Sequence, residues 1–169
     1  MAGKSRVLFV CGRNAARSQM AEGYLRALYG STYEAASAGL SSSRLSRSAV
    51  RVMAEAGIDI SSHRSKPVGE FAAAEFDVVA TLCDEAGCMP RSLLPSARRY
   101  LHWSFPDPAG FTGTGEEVLA GYREIRDRIG AWVREEFGPG GTRTLRGDDP
   151  SLPGPVSPKD VKGETLKTR

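Results

Sequence analysis

Apolar residues fall into short runs along the first four-fifths of the chain. The runs Arg6–Val10 and Phe76–Leu82 are almost continuously apolar, which is typical of strands that are covered on both faces. Two further runs, Tyr33–Leu40 and Arg98–Phe105, have a weaker strand pattern. The sequence therefore predicts four strands.

Helical periodicity lies between and after these runs. The predicted helices are Ser18–Leu28, Ser46–Ala56 and Glu116–Phe137. The last of them has apolar side chains every three or four residues, forming one stripe: Val118, Tyr122, Ile125, Ile129 and Trp132. Strands that alternate with helices predict a three-layer α/β/α fold around a four-stranded parallel sheet.

The character of the sequence changes at Gly138. From there to Arg169 the chain is rich in glycine, proline and charged residues and has no apolar period. Such a segment cannot bury enough apolar surface to fold. We predict a folded domain over residues 1–137 and a disordered tail over residues 138–169.

Composition excludes several classes of function. The 169 residues include 23 basic and 20 acidic side chains, a net charge of +3, and the basic residues are scattered. This favours a small anion over nucleic acid as partner. No run approaches the roughly 18 apolar residues of a membrane span, and the N-terminus lacks a signal-peptide pattern. We expect a cytoplasmic monomer without a membrane partner, an organic cofactor or a metal site.

Cysteine usage is informative in such a protein. In the cytoplasm, three cysteines are catalytic, metal-binding or inert more often than they form a structural disulfide. Cys11 follows the first predicted strand and opens the stretch "CGRNAARS", in which the spacing is Cys-x5-Arg-Ser. The other two, Cys83 and Cys88, follow the buried strand Phe76–Leu82.

The "CGRNAARS" stretch has the chemistry of an oxyanion-binding loop. Between a strand and a helix N-terminus, backbone N–H groups point inward and form a cradle for a tetrahedral anion. Arg17 can bind two of the anion's oxygens as a planar fork. The same field favours the thiolate of Cys11, which is placed for in-line attack and can accept a hydrogen bond from Ser18. The predicted substrate-binding residues are Gly12, Arg13, Asn14, Ala15, Ala16, Arg17 and Ser18.

This stretch resembles the phosphate-binding loop of the low-molecular-weight protein tyrosine phosphatase superfamily. The resemblance covers about residues 5–137, and the later stretch "HWSFPDPAG" places Asp107 where the family has its general acid. It implies that Cys11 is the nucleophile and that Asn14 braces the loop. Phosphatase members often carry a second cysteine before the loop arginine, whereas this chain has Ala16.

The stretch "VVATLCDEAGC" is similar to that of thioredoxin-coupled arsenate reductases, a redox branch of the same superfamily. That resemblance implies a thiol relay. Cys11 attacks arsenate with Asp107 as proton donor, and Cys83 then attacks Cys11, releasing arsenite. Cys88 attacks Cys83 in turn, and thioredoxin reduces the Cys83–Cys88 disulfide.

A regular helix would conflict with the last disulfide. Five residues of helix separate two Cα atoms by about 7.5 Å, whereas a disulfide needs about 4.4–6.8 Å. The segment Cys83–Met89 must therefore bend or unwind, and Gly87 is a suitable place for it. We predict a mobile element there.

Two other functions remain open from the sequence. One is phosphotyrosine or aryl phosphate hydrolysis, which needs only Cys11 of the three cysteines. The other is arsenate reduction recycled by a low-molecular-weight thiol and a glutaredoxin-like protein, in which Cys88 would be idle.

The remaining predictions concern individual side chains. Some family members hold a monovalent cation near the loop asparagine; Glu22 and Ser37 match that pattern, but Lys66 stands where an acidic ligand is expected. The ammonium of Lys66 is predicted to replace the ion. The other side chains are predicted to be structural: His63 and His102 in turns or at strand ends, and Trp103 and Trp132 in the core.

Overall fold

The computed structural model describes residues 3–87 and 89–140, and within them it confirms the predicted sheet. Four parallel strands pair in the order β2-β1-β3-β4. Their bounds are β1 Ser5–Cys11, β2 Tyr33–Gly39, β3 Glu75–Thr81 and β4 Ser96–His102. The strand that ends at Cys11 and the strand that precedes Cys83 are therefore neighbours.

The three predicted helices are also present. They are α1 Arg17–Tyr29, α2 Arg47–Glu55 and α4 Gly115–Phe137. A further short helix, α3 Asp84–Gly87, follows Cys83. Side chains cap two of them: the Ser46 hydroxyl accepts from the Ala49 N–H of α2, and Thr114 forms a capping box with Glu117 of α4. The last helical residue of α4 is Phe137 and Gly138 caps the helix, as the glycine-rich stretch predicts.

The alternation of side chains along the strands separates the core into two parts. Phe9 of β1 packs in one cluster with the buried faces of α1, α2 and α4, and its ring lies 6.0 Å from that of Trp132. Leu8 and Val10 face the other way, toward a cluster that includes Val68 of a short 3₁₀ helix. Both faces of the sheet are thus covered, which explains the continuous apolar runs.

The prediction that Trp103 lies in the core is wrong, and most of the predicted tail lies outside the described residues. Trp132 is buried, as predicted, but Trp103 is 50% exposed. β4 ends at His102, so the chain leaves the sheet at Trp103; its N–H still donates to Thr81 O at 2.9 Å, while the indole faces solvent. The predicted disordered tail lies outside the described residues apart from residues 138–140.

Candidate active site

The predicted oxyanion loop connects the end of β1 to the start of α1. Cys11 is the last residue of β1 and Arg17 the first of α1. Unlike α2 and α4, α1 begins without a side-chain cap in the part of the chain that the structure describes. The N–H groups of its first turn are therefore left for a ligand, and they favour an anion.

Asn14 gives this loop its shape. The residue is fully buried and has a φ of 53°, in the left-handed region that side chains other than glycine rarely adopt. Its Nδ2 donates to Ser18 Oγ at 2.8 Å, while its Oδ1 accepts from Gln19 Nε2 and from the Lys66 N–H, both at 2.9 Å. These three hydrogen bonds stabilise a backbone conformation that is otherwise unfavourable.

The Cys11 sulfur lies at the base of the loop and is 2% exposed. Its Sγ is 2.8 Å from Ser18 Oγ. Because Ser18 Oγ accepts a hydrogen bond from Asn14, its own proton is available for donation to the sulfur. The Ser18 hydroxyl is therefore placed to donate a hydrogen bond to the Cys11 sulfur.

Arg17 links the loop to the segment that follows β4. Its buried guanidinium donates to Phe105 O at 3.1 Å through NH1, and its NH2 lies 3.7 Å from Asp107 Oδ2. The Asp107 side chain is half exposed, and its other oxygen accepts from the Ala109 N–H at 3.0 Å. The structure thus brings the predicted acid next to the predicted anion-binding arginine.

The other loop residues serve mainly through their backbone. The carbonyl oxygens of Gly12 and Ala15 accept from Ser41 and Ser46 respectively. Arg13 is exposed, so its charge lies at the rim, and Ala16 is buried. These bonds fix the outer side of the loop to the segment between β2 and α2.

The two further cysteines of the predicted relay differ in what the structure shows. Cys83 lies two residues beyond the end of β3, is fully buried, and belongs to the same side-chain cluster as Cys11. Leu82, just before it, donates from its N–H to Val10 O at 2.8 Å. Cys88 lies outside the described residues, and the predicted mobility of the segment Cys83–Met89 stays a prediction.

Comparison with known proteins places this site in a family. The family model for low molecular weight phosphotyrosine protein phosphatases matches residues 6–137. The chain belongs to this family. All the residues described above, from Cys11 to Asp107, lie within the matched range.

Curated members of the family that resemble the chain are arsenate reductases. That of Bacillus subtilis is 38% identical over 129 residues, which cover 76% of this chain and 92% of the relative. That of Halalkalibacterium halodurans is 37% identical over 131 residues, covering 78% and 94% respectively.

Solved structures include both kinds of enzyme. An arsenate reductase in its phosphate-binding state has 36% identity and a TM-score of 0.66, covering 77% of this chain and 94% of its own. A low molecular weight protein tyrosine phosphatase from T. tengcongensis has 29% identity and the same TM-score, covering 77% and 95%. The fold is thus common to a phosphatase and a reductase.

The cation site of some family members does not fit the residues present here. Glu22 Oε2 lies 2.9 Å from His63 Nδ1 and 3.6 Å from Arg26 NH2, and Oε1 accepts from Ser37 at 3.2 Å. Burial alone would raise the pKa of Glu22, but its hydrogen bond to His63 and the charges of His63, Lys66 and Arg26 lower that pKa overall. Positively charged side chains of the protein itself therefore compensate the negative charge of the Glu22 carboxylate, which a bound cation would need as a ligand.

The charge of Lys66 also acts on Glu22, whereas the replacement of a cation by its ammonium stays a prediction. Its Nζ donates to Arg64 O at 2.6 Å. Burial lowers the pKa of Lys66, and the negative charge of Glu22 partly offsets that effect. Among the described residues, no group of three or more His, Cys, Asp or Glu side chains could hold a metal ion. None of the described helices is long and apolar enough to cross a membrane.

Sequence reasoning missed two residues that shape the loop. Gln19 Nε2 donates to Asn14 Oδ1 and to Arg64 O, and its Oε1 is 3.0 Å from His63 Nδ1. A side chain at Gly39 would collide with the loop, because its Cβ would lie 2.7 Å from Asn14 N. The position of Gln19 directly after "CGRNAARS" was a usable signal, whereas the close approach at Gly39 requires the fold.

Proposed function

We propose that the chain is an arsenate reductase that uses Cys11, Cys83 and Cys88 in turn and is recycled by thioredoxin. The observation that carries the proposal is the similarity to curated arsenate reductases over more than nine-tenths of their length, for example 92% of the Bacillus subtilis enzyme. Cys83 supports it, because phosphate ester hydrolysis needs no second thiol.

The first step forms a bond between Cys11 and arsenic. The Cys11 thiolate attacks arsenate that is held by the loop N–H groups and Arg17, and an arsenic-bound oxygen leaves as water with a proton from Asp107. The half-exposed Asp107 carboxyl lies next to Arg17, and this position supports its role as the proton donor. The Ser18 hydroxyl stabilises the sulfur in its anionic form.

The later steps are attacks of thiolates on sulfur, of which the first forms a disulfide and the others exchange it. The Cys83 thiolate attacks Cys11 Sγ; the sulfur–arsenic bond breaks, its electron pair reduces As(V) to As(III), and arsenite leaves. Cys88 then attacks Sγ of Cys83 and releases Cys11 as a thiolate. Two electrons from the thioredoxin dithiol finally reduce the Cys83–Cys88 disulfide.

Protein tyrosine phosphatase activity is the second candidate. The match to a phosphatase from T. tengcongensis at 29% identity favours it, since the loop and Asp107 suffice for ester hydrolysis. Arsenate and phosphate have nearly the same shape, so we also expect residual phosphatase activity from the reductase.

The test is arsenate-dependent NADPH oxidation with thioredoxin and thioredoxin reductase. Wild type should turn over, whereas Cys83→Ser and Cys88→Ser should stop after one cycle or less; the exposed Ser92→Ala serves as a control variant that should behave as wild type. Full activity of Cys88→Ser would point to a low-molecular-weight thiol and a glutaredoxin-like protein instead. Hydrolysis of an aryl phosphate without any arsenate reduction would assign the chain as a phosphatase.

A further inference from the structure

His102, the last residue of β4, contacts both ends of the short helix that follows Cys83. A Cβ placed on Gly87, the last residue of α3, would overlap the imidazole of His102, lying 2.6 Å from Nδ1 and 3.1 Å from Nε2. At the other end of α3, Asp84 Oδ1 is 3.7 Å from His102 Nε2. The absence of a side chain at Gly87 thus makes room for the imidazole of His102. The sequence suggested glycine there only for its backbone flexibility.

The imidazole is also fixed to the sheet. Thr81, the last residue of β3, is in register with His102, and its Oγ1 is 2.8 Å from Nδ1. The Thr81 hydroxyl also lies 3.3 Å from Leu101 O, and its 2.8 Å hydrogen bond with Nδ1 joins the imidazole to the end of β3 whichever of the two atoms supplies the proton. The opposite nitrogen, Nε2, then faces α3.

We propose that His102 is a positioning residue for Cys83, holding α3 against the ends of β3 and β4. This inference rests on the proposed function, in which Cys83 attacks Sγ of Cys11. α3 begins directly after Cys83, and the Gly87 N–H donates to Cys83 O at 2.9 Å. Whatever holds Asp84 and Gly87 therefore also holds the backbone of Cys83.

Two consequences follow for Cys83, which is fully buried beside the Cys11 cluster. Its thiol stays protected from solvent as long as α3 is held, because exposure requires local opening. Its sulfur also stays in a fixed position for attack on Cys11, and such positioning supplies much of the rate of an intramolecular step. Loosening α3 should expose the thiol and slow the exchange.

The first experiment measures the carbamidomethylation of Cys83 by iodoacetamide, followed by mass spectrometry, in the reduced full-length protein. In His102→Ala we expect the rate at Cys83 to rise by about tenfold through local opening, with the rate at Cys11 unchanged. In the thioredoxin-coupled assay we expect kcat to fall by about tenfold while KM for arsenate stays the same, because the loop that binds arsenate is intact.

Two further variants separate positioning from a general loss of structure. His102→Asn retains an amide group close to the Nδ1 position that can donate or accept the hydrogen bond of Thr81, so it should restore at least half of the protection of Cys83. Gly87→Ala retains the imidazole, but the new methyl group overlaps it and must push α3 and His102 apart. This variant should therefore reproduce the effect of His102→Ala. Gly69→Ala is the matched control, since a Cβ there meets nothing within 4 Å.

Unchanged Cys83 protection and unchanged kcat in both His102→Ala and Gly87→Ala would overturn the proposal. Equal exposure of Cys83 in His102→Asn and His102→Ala would also overturn it, because the bond to Thr81 would then not hold the imidazole. The carbamidomethylation assay needs no arsenate. A wild-type protein that fails to reduce arsenate would therefore refute the proposed function and still leave this test decisive.

Discussion

Replacement of Asn14 by alanine tests whether its side chain braces the oxyanion loop. The change removes three buried hydrogen bonds, to Ser18, Gln19 and the Lys66 N–H. Gln19 Nε2 has other acceptors and Ser18 still contacts Cys11, so only the Lys66 N–H loses its acceptor. At about 1 kcal/mol for each bond, the free energy of unfolding should fall by about 3 kcal/mol.

The assay is thermal and urea unfolding followed by circular dichroism. For a protein of this size a loss of 3 kcal/mol corresponds to a melting temperature lower by roughly 6–12 °C. Asn14→Gly is the matched variant: it loses the same bonds but accepts the φ of 53° without strain. We expect it to be more stable than Asn14→Ala by about 0.5–1 kcal/mol, after allowing for the greater freedom of glycine in the unfolded chain. An Asn14→Ala protein within about 0.5 kcal/mol of wild type would refute the bracing role.

Three further outcomes are expected. Ser18→Ala should lower kcat by roughly 10- to 100-fold, since a hydrogen bond to a charged group contributes about 1.5–3 kcal/mol; a change below twofold in steady-state kinetics would contradict this. Because the pKa of Glu22 is lowered in the folded protein, its charge stabilises the fold above the ordinary value of 4.5 and that stabilisation is lost as the pH falls through the folded pKa. Glu22→Gln should thus be less stable than wild type in urea at pH 7, with the gap closing below pH 4.5, while the exposed Glu124→Gln shows no such gap. With Lys66 in place of an acidic ligand, kcat in KCl should equal kcat in NaCl at the same ionic strength; clear activation by potassium would show that a cation binds.

The sequence predicted the elements well because their patterns are local. Runs of apolar residues specify β1 and β3, and the stripe through Ile125 and Ile129 specifies α4. The burial of Trp103 was predicted wrongly because no residue near it in the sequence marks the end of β4. The space that Gly39 leaves for the loop and Gly87 leaves for His102 depends on contacts between residues far apart in the chain. No local pattern encodes such contacts.

The order of the strands explains how one site can serve two kinds of reaction. β1, β3 and β4 are adjacent in the sheet, and their carboxyl ends lead to Cys11, Cys83 and Asp107 respectively. Parallel strands bring these ends to the same edge, so the proposed nucleophile, second thiol and acid all lie on that edge of the sheet without any change in the fold. The loop and Asp107 are enough for attack on a tetrahedral oxyanion. In the proposed function, what turns that attack into a reduction is a thiol on the neighbouring strand end that attacks the Cys11 sulfur before water attacks the arsenic. We therefore expect contacts such as that between His102 and α3, which lie away from the bound oxyanion, to determine which reaction this chain performs.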